Sequence, residues 1–217
     1  MIKMVITKHS NKFDKKINSS CDNIFLLKYY SELGSASAVE TLLKDSTISK
    51  EDLNFALLKS CYYGHENVVK ILLNDCRSDP ESYLLTFAIQ GNQPKIVELL
   101  LKNNKINPNY MNNYAVKLAI IYGNLEIVKI LLKDKRVDPG TNIISLASDF
   151  KPTPERLEIM KLLLKDSRVD PNEYDNYALK YIINNSNFEY LELLLNDKRF
   201  TNIRAIINSE LKLKSKY

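Results

Sequence analysis

One block of residues, Ile127-Val-Lys-Ile-Leu-Leu-Lys-Asp-Lys-Arg-Val-Asp-Pro139, returns with small changes along the whole chain. Its relatives are Ala38-Val-Glu-Thr-Leu-Leu-Lys-Asp45, Val68-Val-Lys-Ile-Leu-Leu-Asn-Asp75, Ile96-Val-Glu-Leu-Leu-Leu-Lys-Asn103, Ile159-Met-Lys-Leu-Leu-Leu-Lys-Asp166 and Tyr190-Leu-Glu-Leu-Leu-Leu-Asn-Asp197. Successive starts lie 28 to 32 residues apart. A nearly constant period of this size constrains the fold more than any composition does. Each unit is one supersecondary element that cannot bury its own apolar face, so it must stack on its neighbours. The 217 residues would allow one or two globular domains; the period predicts one elongated array instead.

The unit from Tyr114 to Pro139 shows what is stacked. Tyr114 to Tyr122 reads as a short helix that is apolar almost all round and therefore sandwiched between neighbours. Gly123 comes next, the residue that most easily ends a helix in a left-handed turn. Leu125 to Lys133 is a second helix, with Glu126 and Lys129 on its solvent side. Val137-Asp-Pro139 begins an extended exit, because the residue before proline is pushed out of the α region. The first position of the inner helix holds Phe25, Phe55, Tyr83, Tyr114 and Tyr177, with Asn142 in the fifth unit. The turn position holds Gly34, Gly64, Asn92, Gly123 and Ser186; serine is the poorest of these in a left-handed site, which predicts a looser last turn.

Helix, tight turn, helix and extended loop at about 31 residues resembles an ankyrin repeat. The resemblance spans roughly residues 23 to 202 and is most specific in Tyr62-Tyr-Gly-His-Glu-Asn-Val-Val-Lys-Ile-Leu-Leu73. It implies an all-α fold: an ankyrin-type α-solenoid of stacked helix-turn-helix units with extended connecting loops. The boundaries expected are a basic segment over 1–22, six repeats over 23–52, 53–80, 81–111, 112–139, 140–171 and 172–202, and a capping helix with basic tail over 203–217. The family's Thr-Pro-Leu-His opening, whose Thr and His tie neighbouring units by hydrogen bonds, is replaced by Phe55-Ala-Leu-Leu, Tyr114-Ala-Val-Lys and Tyr177-Ala-Leu-Lys. Stacking is therefore expected to rest on aromatic and aliphatic packing. The Tyr-Ala opening with Leu-Leu-Lys-Asp-x-Arg-Val-Asp-Pro resembles a divergent subclass found in large DNA viruses and some protists.

Departures from the template mark candidate contact regions. Four extra residues fall between the helices of the fifth unit, in Phe150-Lys-Pro-Thr-Pro154. Thr153 there is the expected N-cap of the unit's second helix, and Pro154 its first helical residue. The loops after Pro108 and Pro171 are longer than those after Pro80 and Pro139. They hold Tyr110, Met111, Asn113, Tyr174, Asp175 and Asn176, the candidate partner-binding residues, since aromatics beside Asn are common contact chemistry. Each tyrosine either projects from its loop or packs beneath it.

Catalytic chemistry has little to stand on. Of two histidines, His65 succeeds a turn glycine, a structural position in the family, and His9 lies in the basic N-terminal stretch. The five glycines are scattered and form no phosphate-binding loop. Asp134, Asp166 and Asp197 recur with the period, and Arg136 and Arg199 sit near helix C-termini where cations suit the dipole. No enzyme activity, cofactor or metal is expected. Three cysteines in no metal spacing read as reduced thiols of a cytoplasmic or nuclear protein, and no apolar run is long enough to span a bilayer.

The net charge of +5 sits in the two ends, with the middle slightly acidic. That argues against a nucleic-acid reader, which would carry its basic stripe on the folded surface. The expected function is a monomeric scaffold binding a protein partner through its concave face and projecting loops. Two alternatives stay open: electrostatic binding of nucleic acid or anionic membrane by the Lys-rich ends, and a viral or host adaptor.

Overall fold

The computed structural model describes residues 20–199 and Ile207. Among them are twelve α-helices and no strand. They run α1 (Ser20–Leu33), α2 (Ala36–Leu42), α3 (Lys50–Tyr63), α4 (Glu66–Asn74), α5 (Leu84–Gln90), α6 (Pro94–Leu101), α7 (Tyr110–Tyr122), α8 (Leu125–Lys133), α9 (Ile143–Ser148), α10 (Pro154–Lys165), α11 (Glu173–Asn184) and α12 (Phe188–Leu195). Consecutive helices pair, and the six pairs stack in two rows. The inner row is α1, α3, α5, α7, α9 and α11; the outer row is α2, α4, α6, α8, α10 and α12, each helix packed on the next in its row. One apolar cluster runs through all six pairs, from Leu27 to Leu194.

Local chemistry sets the helix ends. Ser49 and Asp52 form a reciprocal capping box at α3, satisfying orphan amides at the helix start. Thr153 caps α10 by accepting from Arg156 N, with Pro154 in the first turn, as the sequence predicts. Gly64 and Gly123 close α3 and α7 in the left-handed conformation, at φ 80 and 70. Ser186 adopts φ 56 at the corresponding place, so the last turn keeps the left-handed shape despite its unsuitable residue. The expected capping helix lies outside the described residues apart from Ile207, which is helical and packs against the core. Residues 1–19 of the expected basic segment also lie outside them.

The pairs are held together by the expected aliphatic packing and, beyond it, by polar ladders. On the exit-loop edge, each Asp-x-Arg step folds into a clamp. Arg168 holds its own Asp166 through Nε and Nη2, and donates to Val137 O at 2.6 Å and Leu132 O at 2.7 Å in the pair before it. Arg77 reaches Leu43 O, Asp45 O and Ile48 O in the same way. Arg136 reaches Leu101 O and Ile106 O, and Arg199 reaches Leu164 O and Val169 O. The acceptors are orphan carbonyls at or just past the last turn of the preceding outer helix, and carbonyls of its exit strand. One guanidinium fork thus caps a helix and cross-links two pairs. The cations do meet a helix C-terminus, but it belongs to the neighbouring pair.

A second ladder runs along the turn edge. His65 Nε2 meets Glu32 O at 2.7 Å, Asn124 Nδ2 donates to Ile89 O at 2.9 Å, Arg156 Nη2 to Ile121 O at 2.8 Å and Asn187 Nδ2 to Ser148 O at 3.3 Å. The structural role expected of His65 is met here, with the carbonyl partner requiring the proton on Nε2. The insertion of the fifth unit folds back on this edge, where Phe150 stacks under the Arg156 guanidinium at 4.1 Å.

Candidate partner-binding face

The residues left over from the ladders and the core are aromatic. Phe25, Phe55, Tyr114 and Tyr177 sit at equivalent places in their inner helices, which begin four or five residues earlier than the sequence suggests, and all are exposed; Phe25 is 63% and Tyr177 52% accessible. Their helical spacing sets a second ring one turn later: Phe25 stacks with Tyr29, Tyr83 meets Phe87 edge-on and Tyr177 faces Tyr181. Because the helices of the inner row pack side by side, these rings line one face, interrupted at α9, where Asn142 stands in the equivalent place. Tyr63 and Tyr122 extend it toward the turn edge.

Charge on the face is neutralised locally. Lys28 pairs with Asp52 at 3.3 Å and lies 4.9 Å from the centre of the Phe55 ring. Lys59 pairs with Glu32 at 3.1 Å and lies over both Phe55 and Tyr63. Tyr63 donates its phenol to Glu32 at 3.1 Å. The Lys59 and Tyr63 hydrogen bonds hold the Glu32 carboxyl below its ordinary range, and the same carboxylate raises the Tyr63 phenol. The result on α1 and α3 is an amphipathic surface whose charges are paired: rings beside cations already seated on π faces.

Beside this face, α7 is entered through three consecutive left-handed residues: Met111 (φ 52), Asn112 (φ 58) and Asn113 (φ 62). Asparagine tolerates this region; methionine does not, at a cost of roughly 1 to 2 kcal/mol. The turn lifts Tyr110 and Met111 outward, with Met111 65% exposed. Asn113 does not project. It is 8% exposed, and its amide donates to Asp138 at 3.2 Å, because the left-handed turn points it back toward the exit strand. Asn109 secures the same loop, donating to Arg136 O at 2.7 Å and accepting from Asp138 N at 2.8 Å.

In the corresponding loop, Asn176 is half-buried at φ 59, with its backbone amide donating to Asn172 O. Tyr174 and Asp175 lie in the first turn of α11, and their side chains are outside the described residues. The structure therefore separates the six candidates, with Tyr110 and Met111 outward and Asn113 inward. Sequence reasoning misses the inner-row aromatics as contact residues because it gives them a stacking role. Their recurrence at a position that the rest of each helix does not need for its apolar stripe is the available signal.

Among the described residues no group of three His, Cys, Asp or Glu is placed to hold a metal ion, and no helix is long and apolar enough to cross a membrane. Two rows of paired helices, cross-linked pair to pair and presenting one repetitive face, define a helical-repeat solenoid. A family model described as Ankyrin repeats (3 copies) matches residues 27–111 and 76–143, more than half of the chain, and this protein belongs to the ankyrin-repeat family. No curated protein matches the chain. Ankyrin repeats generally serve as protein–protein interaction modules, and the family is typically a non-catalytic scaffold.

Proposed function

We propose that this chain is a non-catalytic scaffold that binds one protein partner along the aromatic face of its inner row, flanked by the Tyr110–Met111 turn. The observation that carries this reading is the recurrence of an exposed ring at one structural position in four of the six inner helices, α1, α3, α7 and α11. A monomer exposing such rings in register presents the rigid, amphipathic anchors that dominate interface energetics. Tyr174, Asp175 and Asn176, at the equivalent helix entry two pairs further on, complete the proposed contact set. Asn113 supports the turn from beneath. Free Cys61 and Cys76 fit a reducing compartment, and the cytoplasm is the proposed location.

The test is a pull-down from host-cell lysate with the whole chain as bait, run beside the triple substitution Phe25→Ala, Met111→Ala, Tyr177→Ala. A discrete protein retained by the natural chain in high salt, and lost by the variant at unchanged thermal stability, supports the reading. Retention of only nucleic acid or lipid, released by salt, refutes it in favour of the basic ends.

A further inference from the structure

The junction between the second pair (α3, α4) and the third (α5, α6) lacks what the other four junctions share. Where the others carry Asp-x-Arg, this one carries Asn103 and Lys105. Lys105 reaches only the Asp79 carboxylate, at 3.4 Å, with both side chains about half exposed. Its single ammonium cannot reproduce the two-carbonyl fork of a guanidinium. Among the described residues, no side chain of the third pair donates to Leu73 O or Ser78 O, the carbonyls equivalent to Leu101 O and Ile106 O at the next junction.

Two more observations coincide there. Ser78 occupies the slot filled elsewhere by Ile48, Ile106, Val137 and Val169, all buried, and its hydroxyl is buried without a partner. In the outer row, α4 and α6 are the least closely packed neighbours. On the turn edge, Gln93 reaches Tyr62 O at 3.4 Å, the longest bond of that ladder, while also donating to Gly91 O at 2.8 Å.

The turn edge of this same junction is nevertheless closed. Gly91 lies so near Tyr62 that a Cβ on it would fall 1.9 Å from the Tyr62 carbonyl oxygen, so only glycine fits. The inner helices α3 and α5 are closely packed. Contact is thus tight at one edge and unclamped at the other.

We propose that this junction is a built-in hinge. The first two pairs, α1 to α4, swing as one body against α5 to α12, pivoting where Gly91 meets Tyr62 and opening at the exit-loop edge between Asp79 and Lys105. In a stacked array, stability is a sum of unit and nearest-neighbour interface terms, so the weakest interface is where the array parts. The aromatic face crosses the hinge, with Phe55 and Tyr63 on one side and Tyr83 and Phe87 on the other. Opening changes the angle at which the two halves of that face meet a ligand. The hinge is a property of the free chain and stands whether or not that face is the binding site.

The test is native-state hydrogen exchange on the full chain, read by peptide mass spectrometry, for the natural protein and for Asn103→Asp with Lys105→Arg, which supplies the missing clamp. In the natural chain, α1 to α4 should exchange as a block distinct from α5 to α12, with the boundary between Asn74 and Leu84. The clamped variant should slow exchange at that boundary by roughly ten- to a hundredfold, the range expected for added charge-assisted hydrogen bonds. The reverse variant, Asp134→Asn with Arg136→Lys, should create a second boundary between Leu101 and Tyr110. Exchange of the natural chain as a single block overturns the proposal, as does a folded clamped variant with an unaltered boundary.

Discussion

The exit-loop edge and the inner-row face are built from residues that recur with the same period, yet they do opposite things. On the edge, every guanidinium and carboxylate of Arg77, Arg136, Arg168 and Arg199 with Asp75, Asp134, Asp166 and Asp197 is engaged inside the molecule. On the face, Phe25, Phe55, Tyr114 and Tyr177 remain exposed. Charged residues, usually read as surface, hold the array together. Aromatic residues, usually read as core, are left for solvent or a partner. The difference lies in where unsatisfied groups exist. Helix C-termini of both rows and the exit strands present orphan carbonyls that a side chain of the next pair can cap, whereas the rings stand away from those ends, where no carbonyl is left unpaired for them.

That contrast can be broken or sharpened by experiment. The reference point is the core: Leu131→Ala should destabilise by about 2 to 5 kcal/mol through loss of transfer energy and a cavity, seen as a lower urea midpoint. Next comes the edge. Arg168→Met should cost about 1.5 to 3 kcal/mol, because two charge-assisted bonds vanish and Asp166 loses its partner. Lys105→Met, at the unclamped junction, should cost under about 1 kcal/mol. Equal effects of the two would dissolve the distinction between clamped and unclamped junctions.

The same clamps predict acid lability. Hydrogen bonds from the arginines lower the carboxyls of Asp75, Asp134, Asp166 and Asp197 below the ordinary 3.8. A depressed folded-state value means that this stabilisation is fully present above the unfolded-state value and lost as pH falls through the lower folded values. Circular dichroism on titrating downward from pH ~4 should show helix loss. A chain equally stable to urea well below that range would show that the clamps contribute nothing.

A smaller effect of opposite sign comes from Tyr190, fully buried where most other units carry Ile or Val, with a hydroxyl that has no partner. Tyr190→Phe should stabilise by about 1 kcal/mol by removing an unpaired polar group. The smallest effect belongs to the face: the Phe25→Ala, Met111→Ala, Tyr177→Ala variant should shift the unfolding free energy by under about 0.5 kcal/mol per site while abolishing partner capture. A large loss of stability there would place those rings in the fold and not in recognition.

Most of the architecture was legible in the chain because it rests on short-range rules. The period of 28 to 32 residues fixed the stacking. Gly64 and Gly123 marked the turns because only a residue without Cβ enters φ 80 or 70 freely. Thr153 and Pro154 announced α10 through cap chemistry within three residues. What the tertiary structure alone decided involves groups some 30 residues apart. It showed that Arg136 grips the carbonyls of the pair before it. It also turned Asn113 inward to Asp138 while Met111, two positions away, faces outward. A repeat tells the chain which elements to form; which neighbour's carbonyl each side chain finds depends on how closely two units stack, and that distance is set only when both are folded.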